Sequence, residues 1–186
     1  MGWYVILGTI PIVVLGITFT SQIETIARNL WLTAVMLAGF GLLLGAADRW
    51  GHRTREISSL RAKDAILLGG AQALALVPGV SRSGATITMG LTLGLTREAA
   101  TRYAFLLAIP AVLGSGAYEA TRISNDPDVA WGAVIVATVI AFSVGYLVIS
   151  WLIRYIATNS YLPFVLYRLG FAGVLVVLLL AGVLNA

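Results

Sequence analysis

The densest run of residues able to do chemistry is Pro78-Gly79-Val80-Ser81-Arg82-Ser83-Gly84-Ala85-Thr86. Arg82 offers a planar fork of N–H donors that matches phosphate oxygens. Ser81, Ser83 and Thr86 add hydroxyls, while Gly79 and Gly84 permit close backbone approach and unusual dihedrals. A helix beginning here leaves its first N–H groups without intrahelical partners and points its positive dipole end at the same place. These parts make an anion site, with phosphate the best fit. The run is not a Walker A loop: G-x-x-x-x-G-K-[ST] does not occur, and the sole lysine is Lys63.

The flanking sequence sets where this site must sit. The stretches AILLGGAQALALV and GATITMGLTLGL are each too short to span, at under about 20 Å as helix. Pro78-Gly79 breaks any helix between them. Residues 65–95 are therefore predicted to form a re-entrant helical hairpin that returns to its own side. An arginine at that depth costs at least about 2.5–3.5 kcal/mol unless it meets water or an anion. In a plainer reading Arg82 snorkels and the serines only cap the helix, but a mid-hairpin position leaves the side chain little reach.

The rest of the chain supports a membrane setting. Of 186 residues, 59% are apolar and 11% charged, too few charges to coat a water-facing surface. A soluble enzyme, a disordered chain and a disulfide scaffold are excluded. There is no cysteine and one histidine, His52, so thiolate and multi-histidine metal sites are excluded within the chain. The predicted class is an all-α polytopic membrane protein. Its five spans lie over 3–19, 30–47, 103–117, 130–153 and 161–184, with the hairpin as a sixth, non-crossing element. Trp31 and Trp50, and Trp131 and Trp151, stand about 28–30 Å apart on helices and bracket two spans as aromatic belts.

Residues 48–64 hold five basic and three acidic side chains and read as a cytoplasmic loop. The basic cluster Arg49, Arg53, Arg55, Arg61 and Lys63 is not interleaved with exposed aromatics, so nucleic acid is not an expected partner. The segment near Arg97 and Arg102 and the connection at Arg154 also fall inside. The 118–129 loop, with Glu119, Asp126 and Asp128 against Arg122, falls outside. This sidedness works only if 65–95 does not cross. Gly41-x-x-x-Gly45 and Gly90-x-x-x-Gly94 are small-residue faces suited to close helix contact. The opening Met1-Gly2-Trp3-Tyr4 has no basic n-region, and Ile6 does not fit an N-myristoylation signal.

The string G-G-A-Q-A-L-A-L-V-P-G-V-S-R-S-G-A-T, residues 69–86, resembles the second conserved motif of undecaprenyl-pyrophosphate phosphatases of the bacitracin-resistance type. Leu7-Gly8-Thr9-Ile10-Pro11, Phe105-Leu106-Leu107-Ala108-Ile109-Pro110 and Pro163-Phe164-Val165-Leu166-Tyr167-Arg168 are similar to other landmarks of that family, in the same order. The resemblance implies an integral enzyme of the bacterial plasma membrane that hydrolyses undecaprenyl pyrophosphate to the monophosphate and so recycles the lipid carrier for cell-wall synthesis. It implies a fold of two inverted repeats with re-entrant hairpins, a pocket open to the outer face, and support by a divalent cation, Mg or Ca. On that pattern Arg82 clamps the pyrophosphate, Ser81, Ser83 and Thr86 bond its oxygens, and Gln72 faces the site from the first arm, with Gly79 and Gly84 in the binding loop. No metal ligands are identifiable.

The family's earlier motif, E-G-x-T-E followed by Ser-Ser-x-Gly-His, is missing from this sequence. Glu24 lacks the family's following residues, and His52 lies in the basic loop. The expectation is a single membrane domain in which 1–47 ends a first repeat, 48–64 is the cytoplasmic loop and 65–186 is a second repeat, with weak or no turnover by this chain alone. Glu98 and Glu119 are expected at solvated loop ends, and Arg168 as a snorkelling anchor near the inner end of its span, with a place in the site as the alternative that the family's Tyr-Arg pattern implies. Membrane lipids surround the chain, and a homo-oligomer stays open. One rival reading is a transporter or flippase for an anionic polyprenyl lipid, since broken helices aimed at a mid-membrane anion are transporter devices. Another is a structural subunit with no ligand.

Overall fold

The computed structural model describes residues 1–19, 22–23, 29–123 and 129–184. Glu24, Arg28, Asp126 and Asp128 lie outside them. The described residues form helices α1 (Gly2–Thr18), α2 (Leu30–Trp50), α3 (Ala62–Ala73), α4 (Arg82–Thr92), α5 (Arg97–Ile123), α6 (Trp131–Thr158) and α7 (Leu162–Leu180). Four of these, α2, α5, α6 and α7, are long and apolar enough to cross a membrane. The span predicted over 3–19 is α1, whose 17 residues rise about 25 Å, slightly less than the usual hydrocarbon layer. Helix α5 is longer than predicted at both ends. Arg97–Arg102 forms its first turns, with Arg102 bonded to Glu98 at 2.7 Å, and its last turns take in the start of the predicted outer loop.

The hairpin is present. Helix α3 runs on through a short 3-10 turn (Leu74–Leu76), the chain reverses at 77–81, and α4 returns. One guanidinium fixes the base. Arg55 donates to the Asp64 carboxylate at 2.6 Å and to the carbonyls of Leu93 at 2.9 Å and Ser59 at 3.0 Å. Asp64 begins the first arm and Leu93 ends the second, so both arms start and finish on one side and the hairpin does not cross. A parallel bridge from Arg55 to Leu95 reinforces the join.

Asp64 is buried. Burial raises its pKa, but the Arg55 hydrogen bond, the Arg61 N–H and the charges of Arg55 and Lys63 outweigh that and hold it below the ordinary 3.8. A depressed carboxylate stabilises the fold above its unfolded pKa and loses that contribution as pH falls through the folded one. Asp64→Asn is expected to lower stability by about 1–3 kcal/mol at neutral pH. Thermal unfolding in detergent should show the gap to wild type closing below about pH 4.

Close helix crossings hold the bundle. A Cβ on Gly69 would lie 2.2 Å from the Gly8 carbonyl, so α1 and α3 meet backbone to backbone. Gly41 abuts the stem of Arg168 and Gly45 abuts Val165, so the first small-residue face is the α2–α7 contact. Gly90 abuts Ala100 of α5, whereas Gly94, at φ +84°, serves the turn that ends the hairpin. Leu68, Leu91, Leu95, Tyr103, Leu107 and Ile156 form the core. Trp31, Trp50, Trp131 and Trp151 are all exposed, as belt residues require.

Candidate functional site at the hairpin tip

Ser81 caps α4 and makes Arg82 its first residue. The Ser81 hydroxyl accepts from the Gly84 N–H at 3.2 Å. Its φ is +70°, in the left-handed region that costs a β-substituted residue about 1–3 kcal/mol. Gly79 sits at φ +88° two residues earlier. The tip is thus a strained turn, and something must hold it there.

Arg168 holds it. Its Nη2 donates to the carbonyls of Gly79 at 2.8 Å and Val80 at 3.2 Å, and its Nε donates to the Leu37 carbonyl at 3.2 Å. The residue is 9% exposed. This corrects the expectation of a snorkelling anchor: the side chain turns inward because tip carbonyls, unsatisfied by any helix ladder, offer it acceptors, and Gly41 leaves room for its stem. An arginine six residues into an apolar span was the sequence signal for such a role.

The predicted site residues divide between two faces of the tip. Ser81, Ser83 and Gly84 line a cavity of about 220 Å³ together with Arg168, Tyr161 and Tyr167. Arg82 lines a second cavity, of about 510 Å³, walled by Ile12, Val13 and Gly16 of α1, Leu76, and Pro110, Gly114 and Tyr118 of α5. The α5 residues come from the half farther from the arginine-rich loop. The walls are almost wholly apolar, and no described residue accepts a hydrogen bond from the Arg82 guanidinium. Thr86 is fully buried and donates to the Arg82 carbonyl at 2.9 Å, one turn back. Gln72 is also fully buried on the first arm, and neither its Oε1 nor its Nε2 has a partner among the described residues. Neither residue lines these two cavities.

The two buried carboxylates among the described residues, Asp64 and Asp48, stand apart from the tip. Asp64 serves the hairpin base. Asp48 accepts from Arg97 Nε at 2.5 Å and from the Tyr161 N–H at 3.0 Å, joining α2, α5 and α7 at the same end of the bundle. A short contact between Thr101 Oγ1 and the Tyr161 hydroxyl adds to that join. Sequence reasoning missed this second network because its members lie about 50 to 110 positions apart.

A family model described as "Bacitracin resistance protein BacA" matches residues 1–174. A protein of Nocardioides sp. named "Undecaprenyl-diphosphatase" is 54% identical over 187 residues, covering 100% of this chain and 68% of that protein. Proteins of the same name from Micrococcus luteus and Kineococcus radiotolerans are 55% and 57% identical, again over 100% of this chain and over 69% and 66% of their own lengths.

Proposed function

We propose that this chain, which belongs to the family of bacitracin resistance protein BacA, serves the hydrolysis of undecaprenyl pyrophosphate to undecaprenyl phosphate and inorganic phosphate. Its own residues supply the phosphate-binding part of the site. The observation that carries this reading is an arginine with no acceptor among the described residues, at the tip of a non-crossing hairpin, beside an apolar cavity of about 510 Å³. A polyprenyl pyrophosphate has the matching build: an anionic head for Arg82 and a hydrocarbon tail for the walls supplied by α1 and α5. The product is the lipid carrier of cell-wall synthesis, which links the activity to bacitracin resistance.

The roles follow from the geometry. The Arg82 guanidinium binds phosphate oxygens and offsets negative charge that builds as the phosphoanhydride bond lengthens. The first N–H groups of α4 add donors. Gly79 lets the tip backbone pack against the α2 backbone at Thr33 and Leu37, and Gly84 leaves room for the Ser81 side chain beside Arg168. The Ser81 hydroxyl, engaged by Gly84, shapes the helix start, and Ser83 shares its cavity with Arg168. Both serines line the cavity on the other face of the tip from Arg82, and their part in holding phosphate is a proposal. Thr86 and Gln72 belong to its supporting layer, Gln72 as a buried amide with unused hydrogen-bonding capacity.

A divalent cation is part of the reading but finds no seat at the tip. The polar side chains lining the two tip cavities are guanidinium and hydroxyl groups, and no group of three His, Cys, Asp or Glu residues that could hold a metal occurs among the described residues. Among the described residues no carboxylate lines either tip cavity to move a proton, so phosphate release by this chain is expected to be slow. The site faces the outer side of the bacterial plasma membrane, because Arg82's cavity lies in the half of the bundle away from the arginine-rich loop.

Binding of undecaprenyl pyrophosphate to the chain in detergent tests the assignment. Arg82→Ala should weaken it about 10- to 100-fold, the worth of a charge-assisted hydrogen-bond pair, with little change in thermal stability. Unchanged affinity in Arg82→Ala, with phosphate release also unchanged, would remove Arg82 from the site.

A further inference from the structure

A second cationic cavity lies at the opposite end of the hairpin, about 17 Å from Arg82 along α4. It encloses about 310 Å³ and is lined by Gly45, Asp48, Arg49, Arg53, Arg97, Ser160 and Leu162. Three guanidinium groups face one carboxylate, and that carboxylate is already engaged: Asp48 Oδ1 accepts from Arg97 Nε and Oδ2 accepts from the Tyr161 N–H. Arg97 keeps its two terminal nitrogens for another acceptor. Arg49 is exposed and meets no acceptor among the described residues. Arg53 donates through Nε to the Gly51 carbonyl at 3.3 Å, which also leaves its terminal nitrogens.

The backbone is arranged around this cavity at a cost. Arg53 stands at φ +49°, a conformation that non-glycine residues adopt at an expense of about 1–3 kcal/mol. In that conformation its side chain lines both this cavity and a neighbouring one of about 360 Å³ shared with Thr96, Arg97, Glu56, Glu98 and Ala157. Glu98 is paired with Arg102, and neither Glu56 nor Glu98 lines the first cavity. Helices α5 and α7 begin at its rim, at Arg97 and Leu162, and add their positive ends. The rim is amphiphilic: Leu162 is exposed, and Trp50, next to Arg49, is 74% exposed.

We propose that this cavity binds a phosphate group, that of an anionic phospholipid headgroup, with Arg49, Arg53 and Arg97 as its donors. Arginine forks pair with phosphate oxygens two at a time, which a diffuse positive surface does not do. The exposed Leu162 and Trp50 leave an apolar exit along α2 and α7 for the acyl chains. This site is distinct from the hairpin tip and does not depend on the reading given above for Arg82.

The test uses the full chain in neutral detergent, with dioleoylphosphatidylglycerol as probe, dioleoylphosphatidylcholine as the zwitterionic control and inorganic phosphate as the second source. Native mass spectrometry reads bound lipid. Wild type should retain the glycerol lipid at least about tenfold better than the choline lipid, and Arg49→Gln/Arg53→Gln should lose most of that preference. Lys63→Gln/Arg154→Gln removes the same charge from exposed positions outside the cavity and should keep it, as should Arg82→Ala. Displacement of the lipid by millimolar inorganic phosphate would keep the phosphate site but make the free ion its ligand. Equal losses in the two double variants, or no preference in wild type, would overturn the proposal in favour of diffuse attraction.

Discussion

Arg168→Ala is expected to destabilise the protein by about 2–4 kcal/mol and to weaken binding of undecaprenyl pyrophosphate, although Arg168 belongs to a helix distant in sequence from the hairpin. Its guanidinium gives three hydrogen bonds to carbonyl oxygens, two of them on the turn that carries Ser81. Each charge-assisted bond contributes on the order of 1.5–3 kcal/mol in isolation. Intramembrane bonds average less, near 0.6 kcal/mol in direct measurement, which sets the lower end of the range. The carbonyls of Gly79 and Val80 lie outside any helix ladder, so alanine leaves them without their donor. The strained turn then relaxes and the start of α4 shifts. Arg168→Lys should recover only a fraction, because one ammonium cannot span Leu37 and both tip carbonyls in the fork geometry. Chemical unfolding reads the stability, and ligand titration reads the affinity. Wild-type values for both in Arg168→Ala would show that the tip holds itself.

Gly79→Ala should be more damaging still. The new Cβ would meet the Thr33 carbonyl at 2.3 Å and the Leu37 nitrogen at 3.1 Å, both backbone atoms of α2. It would also force a β-carbon into φ +88°, which costs about 1–2 kcal/mol before any clash. The two penalties have no common escape: moving the turn away from α2 breaks its bonds to Arg168. A loss of about 3 kcal/mol or more is expected, with poor yield of folded protein. Gly70→Ala is the matched control. Gly70 lies on the first arm with nothing within 4 Å of its added Cβ, so it should be neutral or slightly stabilising. Equal behaviour of the two variants, judged by monodispersity and unfolding midpoint, would contradict the packing described at the tip.

The elements were largely legible because they rest on local signals. Two apolar runs too short to cross, separated by Pro78-Gly79, specify a hairpin without knowledge of its neighbours, and α3 and α4 occupy those runs. The second helix begins two residues earlier than the run GATITMGLTLGL suggests, because Ser81 rather than Ser83 provides the cap. The bounds of α5 were harder to read, since Arg97, Glu98 and Arg102 look like a polar connection but pair along one helix face. At the site, residue types near the motif were readable and their directions were not. Spacing alone places Ser81, Arg82 and Ser83 together; the helix start turns the arginine toward α1 and α5 and the serines toward α7. Asp48 and Tyr161 acquire their roles only from tertiary neighbours, which no periodicity encodes, and the place of Arg168 in an apolar span marks it without showing which carbonyls it meets.

The shortness of the second arm has an electrical consequence. Its eleven residues raise Arg82 about 17 Å above the arginine-rich end, roughly half-way through a hydrocarbon layer of about 30 Å. A full crossing of a 100 mV potential changes the energy of one charge by about 2.3 kcal/mol, so half a crossing changes it by about 1 kcal/mol. A phosphate entering from the far face, with the arginine-rich side negative, moves uphill by that amount for every charge it carries. Under the proposed reading, occupancy of the tip is coupled to the membrane voltage, and de-energising the membrane favours the bound anion.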